Sequence, residues 1–273
     1  MKVYTFAVAV SLSVVAFGQK NPPAACNSTN IVSIQNLASG QSAFSPGSLA
    51  QVLWCDLEFP APTTPITSVL VHGQFAAPTF VDVSQTTQVT SVAYHGYPGF
   101  TPREFVIQLP NSGLPTGKTD VQIMRGASVL ASAGIQVDSF APGLFTMDGQ
   151  PNGPVLARNG IDYVAGNNVV HVGDTVTIYC EGLGPTTPFV STGDVPNVPA
   201  VVVSMPQVVV GNMVAAVSTA KLVEVPPFPY PWPAGMYQVT FVIPPVNTNR
   251  GSQPIYVQTG GFKSNVATLT VVP

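Results

Sequence analysis

Charge is what this sequence has least of: Asp, Glu, Lys and Arg make up 8% of its 273 residues, against roughly 25% in a typical soluble domain. No basic run is present that could follow a phosphate backbone, which excludes nucleic-acid binding as a reading. The polar surface must come instead from Ser, Thr, Asn and Gln. Helical periodicity is missing too, since no window sustains an apolar stripe at i, i+3 and i+4 with capping signals. There is no Gly-x-Ser-x-Gly elbow and no Walker-type glycine loop, so neither nucleotide chemistry nor a serine-hydrolase reading has support. His72, His95 and His171 stand alone in sequence, without the short spacings to Cys or carboxylate that make a metal site. No metal, cofactor or catalytic residue is expected.

What is present is β-structure. Short valine-rich runs recur along the chain, separated by 28 prolines and 24 glycines that punctuate strands. At the N-terminus Lys2 precedes a largely apolar run from Val3 to Phe17, and Ala16-Phe17-Gly18 fits a small-x-small cleavage site. This reads as a secretory signal peptide over 1–18, whose removal leaves 255 residues carrying eight basic and twelve acidic side chains. A second reading, a lipoprotein signal ending at Cys26, fits less well because Pro23 stands where that motif wants an aliphatic residue. The uncharged stretch from Val195 to Ala220 is cut by Pro196, Pro199, Pro206 and Gly211-Asn212 into strand-length pieces, so it is not a membrane span.

The chain also repeats itself. Slid by 134 positions, "FVIQLP" from Phe105 falls on "VTFVIP" from Val239, Val121-Gln122-Ile123 on Ile255-Tyr256-Val257, Gly126 on Gly260, and Val137 on Val271. Upstream, "SLAQVLWC" resembles "DTVTIYC", and "VLVHGQFAA" resembles "VVVGNMVAA". Two related units of this length, all strand with turn signals every eight to twelve residues, predict an all-β fold of two tandem immunoglobulin-like β-sandwiches after the signal peptide. The expected division is an N-terminal segment over 19–30, a first sandwich over 31–140 and a second over 141–273. Within the second, Asn159-Gly160 is expected to form a type I′ hairpin turn, and "TGG" at 259–261 another hairpin turn.

The segments "SPGSLAQVLWCDL", "FAPGLFTMDGQPNGPVLARNG", "GDTVTIYCEGLGPTTP" and "GMYQVTFVIPP", with the later "GSQPIYVQTGGFKSNVATLTV", resemble the Solibacter-type C-terminal domain family of acidobacterial secreted proteins. The resemblance covers nearly all of 31–273. It implies a secreted pair of immunoglobulin-like sandwiches and no catalytic residue. The chain departs from that pattern at Cys55 and Cys180, where a small residue is expected.

Three cysteines in an exported chain invite a disulfide. Cys26 and Cys55 are the expected pair, pinning the N-terminal segment to the first sandwich. Cys55 and Cys180 occupy matching repeat positions in different sandwiches, which leaves Cys180 as a buried thiol.

In "PPFPYPWPAG" each of Phe228, Tyr230 and Trp232 precedes a proline and is held extended. Two readings stay open for these rings: contact with a ligand such as a carbohydrate, or packing at an end of the sandwich. The repeat places "YHGYPGF" of the first unit on the same loop, which favours packing. The carboxylates Asp82, Glu104, Asp174 and Glu181 would be candidates for an acid–base pair in a glycoside hydrolase, although no spacing brings two of them together.

The functional expectation is a secreted, non-enzymatic structural or adhesive protein, self-associating at a cell envelope or in an extracellular matrix. A low charge leaves little to oppose contact between copies. The alternatives are a carbohydrate-binding module using residues 226–235 and, ranking below it, a glycoside hydrolase. Itself or a surface polysaccharide is the expected partner.

Overall fold

The computed structural model describes residues 30–55, 68–78, 102–165, 168–224, 235–247 and 251–273. All of its regular structure is strand, as the alternation and the missing helical stripe dictate. The two sandwiches have the strand order of the immunoglobulin fold.

In the first sandwich one sheet runs β1 (Asn30–Asn36), β3 (Leu49–Cys55), β7 (Pro102–Gln108), β6 (Ala77–Pro78), all antiparallel. The facing sheet runs β2 (Ala43–Phe44), β9 (Ser128–Val137), β8 (Gly117–Arg125), β4 (Ser68–Val71), β5 (Gln74–Phe75). Its pairs are antiparallel except β2 on β9, where Ala43 and Phe44 lie parallel to Gln136 and Val137.

The second sandwich repeats this. One sheet runs β12 (Asp162–Tyr163), β11 (Ala157–Asn159), β14 (Thr175–Glu181), β19 (Tyr237–Val242), β18 (Met213–Leu222). The other contains β17 (Gln207–Val210), β20 (Ser252–Thr259), β22 (Ala267–Val272) and β13 (Val170–His171), and β13 again lies parallel to β22. The ten-residue β18 serves both sheets: Met213–Ala215 pair with β17, while Ala216–Leu222 pair with β19. In the first sandwich the short strands β5 and β6 share that work. Four two-residue strands complete the unit: β10 (Gly143–Leu144) on β14, β15 (Thr186–Thr187) on β16 (Val201–Val202), and β21 (Phe262–Lys263) on β20.

The 134-residue shift is physical. It carries β7 onto β19, β8 onto β20, and the two ends of β9 onto β21 and β22. Val137 and Val271 each close the parallel pair of their own sandwich, against Phe44 and Val170.

Two hairpin expectations can be compared with the backbone. At 259–261 Thr259 pairs with Phe262, and Gly260 and Gly261 both have positive φ, as a two-residue hairpin loop requires. The hairpin near 160 forms one residue later than expected. Asn159 pairs with Asp162, so the loop is Gly160-Ile161, and positive φ occurs at Gly160 but not at Asn159. Positive φ at the first loop residue alone is the signature of a type II′ turn. Asn159 stays in the strand, where its side-chain amide donates to Asp174.

Each sandwich encloses its own core. Phe44, Trp54, Ile107 and Ile123 are fully buried in the first, and Leu144, Ile178, Phe241 and Ile255 in the second. Each such side chain contributes about 1.5–3 kcal/mol on leaving water. A third apolar cluster belongs to neither sandwich alone and leads to the site described next.

Candidate functional site

Period 2 explains how β14 builds a junction. Val176, Ile178 and Cys180 point into the core of the second sandwich. Their neighbours Thr175 and Thr177 face outward and suit solvent, but the outward series continues with Tyr179 and Glu181, and both are buried. The first sandwich covers them. Leu37, Ala38, Leu49 and Val106 from the first unit pack with Phe145, Leu156, Tyr179, Val223 and Met236 from the second in one apolar cluster. Gly143 lies at a close approach of the two units: a Cβ there would sit 2.8 Å from Asn36 Oδ1 and 3.0 Å from the Ala38 Cβ.

Polar groups fix the register of this seam. The Glu181 carboxylate, 0% exposed, accepts the Ala38 N–H at Oε1 (2.8 Å) and the Leu49 N–H at Oε2 (2.5 Å). Ser39 donates both its N–H and its hydroxyl to Asn36 Oδ1, which holds the turn carrying Ala38. On the other flank, Gln108 Oε1 accepts the Gly193 N–H at 2.7 Å. Asn111 donates its backbone N–H to Thr192 Oγ1 and its side-chain amide to the Val190 carbonyl. Buried donors and acceptors left unpaired are costly, so these contacts specify one docking geometry.

Burial dominates the electrostatics. Among the described residues no cation offsets Glu181: loss of water pushes its carboxyl up to about 8, against the smaller lowering effect of the Ala38 and Leu49 hydrogen bonds. The adjacent Cys180 thiol is driven far up by burial and then by Glu181. Burial, followed by Cys180 and Glu181, likewise raises the Tyr237 hydroxyl, which donates to the Gly184 carbonyl at 2.5 Å. Tyr179 is raised by burial and partly lowered by Arg158, whose guanidinium lies over the Tyr163 ring, 4.5 Å from its centroid.

Of the residues singled out in the sequence, Phe228, Tyr230, Trp232 and Cys26 lie outside the described residues, as do His95 and Asp82. Cys55 ends β3 and is disulfide-bonded, whereas Cys180 is free and buried. His72 lies in the turn between β4 and β5 with a positive φ of 51°, and His171 ends β13 beside a turn. Asp174 accepts the His171 N–H and the Asn159 amide, closing a turn. Asp174 immediately precedes β14 and Glu181 ends it, seven residues on, so strand rise separates the two by ~23 Å. A glycosidase pair needs about 5–9.5 Å, so these two carboxylates cannot act together. Among the described residues no three His, Cys, Asp or Glu gather to hold a metal, and no helix is long and apolar enough to cross a membrane.

Sequence reasoning named Glu181 only as one carboxylate among several and missed the seam. Its signal was a carboxylate in phase with Tyr179 at the end of a strand.

No protein-family model matches the chain, and no curated protein does. Solved structures similar to it include "Tandem Ig repeats of Dlar" (12% identity, 92% of this chain and 97% of that chain, TM-score 0.21). Domains 5–6 of the S-layer protein SbsC are similar at 10% identity, over 88% of this chain and 95% of that chain, with a TM-score of 0.25. A β-glycosidase from Bacteroides vulgatus is similar at 11% identity over 90% of this chain, with a TM-score of 0.21, and the chain spans 25% of that protein's length. The immunoglobulin-like fold itself rests on the strand order: in each sandwich two antiparallel sheets face each other, with one parallel strand added at the edge.

Proposed function

We propose that the chain is a secreted, non-enzymatic structural or adhesive protein that associates with copies of itself outside the cell. The observation that carries this reading is the surface of the second sandwich. Eight of the fifteen large apolar side chains exposed among the described residues fall between 189 and 214. Val203 and Val214 are each more than 60% exposed, and the stretch from 195 to 220 holds no charge. Apolar surface concentrated in this way favours contact between proteins, and nothing charged opposes the approach of a second copy. The buried seam supports the reading, because it joins the sandwiches into a single unit able to transmit orientation along an assembly. The apolar run from Val3 to Phe17 supports export, and the resemblance to Solibacter-type secreted proteins points the same way.

Sedimentation of the exported protein over a range of concentrations tests the proposal. Oligomers that dissociate in the Val203→Lys, Met205→Lys double variant are expected. A monomer at every native concentration overturns it.

A further inference from the structure

The two sandwiches differ along one edge. In the second, Cys180 and Ile178 of β14 pair with Leu144 and Ala157, and between those two partners the chain makes an excursion over 145–156. Its return leg closes the sandwich. Pro154 bridges Thr268 of β22 in parallel, the Gly153 carbonyl accepts the Thr268 N–H at 2.9 Å, and the Val155 N–H donates to the Thr268 carbonyl at 2.8 Å. In the first sandwich the equivalent step along β3, from Cys55 to Leu53, is made with no more than a bulge between Ile31 and Ser33. A groove is left there, with Ile31, Val32 and Ile34 on one side and Ala133, Gly134 and Ile135 of β9 on the other.

Gly134 is the residue that the 134-residue shift carries onto Thr268. It stands opposite Asp120 in the β8–β9 ladder, yet the Asp120 carbonyl accepts the His72 N–H on the other side of β8. Directly opposed residues of an antiparallel pair either bond each other or both turn away. The Gly134 N–H and C=O therefore point away from β8, towards the groove. The Asp138 N–H, in phase with Gly134, donates to Phe44 of β2 on that same side. Among the described residues nothing pairs with the Gly134 groups, whereas both groups of Thr268 are paired.

We propose that residues 19–29 of this chain fill the groove and pair with Gly134, closing the first sandwich as 153–155 close the second. The segment runs directly into Asn30, where β1 and with it one wall of the groove begins. Cys55 is disulfide-bonded and Cys180 is free, which leaves Cys26 to anchor the segment to the first sandwich. From that anchor residues 19–25 span up to ~23 Å, against ~10 Å between facing sheets, so they reach β9. The backbone chemistry fits as well. Pro154 is tolerated at the bridge because only its neighbours bond Thr268, and the N–H that proline lacks is not needed. Asn21-Pro22-Pro23-Ala24 matches Asn152-Gly153-Pro154-Val155 in this respect, with Pro23 at the bridge and the Pro22 carbonyl and Ala24 N–H turned to Gly134. Asn21 to Thr29 carries no charge, and neither do the groove residues apart from Lys118. Filling the groove in this way also removes a free edge that would otherwise accept a strand from another protein.

Amide hydrogen exchange of the exported chain, followed by NMR, tests this. The Gly134 amide is expected to exchange at least ~100-fold more slowly than an open amide, as that of Thr268 should. Deleting residues 19–25, which keeps Cys26 and its disulfide, should speed Gly134 at least ~10-fold and leave Thr268 unchanged. A Gly134 amide that exchanges freely in the intact chain overturns the proposal. So does protection that survives the deletion, and sedimentation of the same sample then shows whether a second copy covers the edge. If the deletion variant does not fold, nuclear Overhauser contacts in the intact chain decide: contacts between the Gly134 amide and residues 22–24 support the pairing, and their absence overturns it.

Discussion

Glu181 and Leu49 stand 132 positions apart in the chain, yet the carboxylate of one accepts the backbone N–H of the other at 2.5 Å. With the matching bond from Ala38, this contact turns two similar sandwiches into one unit. Replacing Glu181 with leucine keeps bulk in the seam but leaves two buried amides without acceptors. Each costs about 1–3 kcal/mol, and we expect denaturant unfolding at pH 4, where the raised carboxyl of Glu181 carries no protonation cost, to show a loss of ~2 kcal/mol or more. An unchanged midpoint and slope would mean that the two bonds contribute nothing to docking.

Gly143 offers a cleaner probe, because its substitution removes no hydrogen-bonding group. An alanine Cβ there meets Asn36 and Ala38 of the other sandwich at 3.0 Å or less. Gly143→Ala should therefore destabilise by about 1–3 kcal/mol through overpacking. Gly134→Ala is the control, since the nearest atom to its Cβ is the Thr119 carbonyl oxygen at 3.8 Å. Its thermal midpoint should stay within about 2 °C of wild type.

The core predicts a large contrast between two apolar residues of the second sandwich. Phe241 is fully buried, while Ile161 in its hairpin loop is 85% exposed. Phe241→Ala should cost about 3–5 kcal/mol, and Ile161→Ser about 0.5 kcal/mol or less. Urea titrations of the two variants measure both.

Cysteine chemistry is testable by mass spectrometry. Cys55 is disulfide-bonded and Cys180 is free and buried. Peptide mapping without reductant should place Cys26 opposite Cys55, and reduction should lower stability by roughly 3–4 kcal/mol for a loop of this length. Cys180 should resist thiol reagents in the native protein, because burial and the adjacent Glu181 disfavour its thiolate. Rapid labelling of Cys180, or a reducible dimer, contradicts this.

Much of the fold was legible because sandwich strands carry a period-2 pattern and the second unit repeats the first. "FVIQLP" and "VTFVIP" occupy equivalent central strands, and Val137 and Val271 close equivalent parallel edges. Local turn chemistry was read correctly at Gly260-Gly261. At Asn159-Gly160 it was misplaced by one residue, because the pairing of Asn159 with Asp162 and its bond to Asp174 held the asparagine in the strand. The seam was not legible. Ala38 and Glu181 meet across 143 residues, and no local pattern encodes a contact between two separately folded surfaces. Only the in-phase series Thr175, Thr177, Tyr179, Glu181 held a trace of it, in the shift from small hydroxyls to a large aromatic and a carboxylate.

The structural role requires the two sandwiches to behave as one body, and scanning calorimetry at pH 5 tests this most directly. We expect a single transition whose calorimetric and van't Hoff enthalpies agree, replaced by two separable transitions in Glu181→Leu combined with Gly143→Ala. Two independent transitions in the wild-type protein at pH 5 would contradict the account.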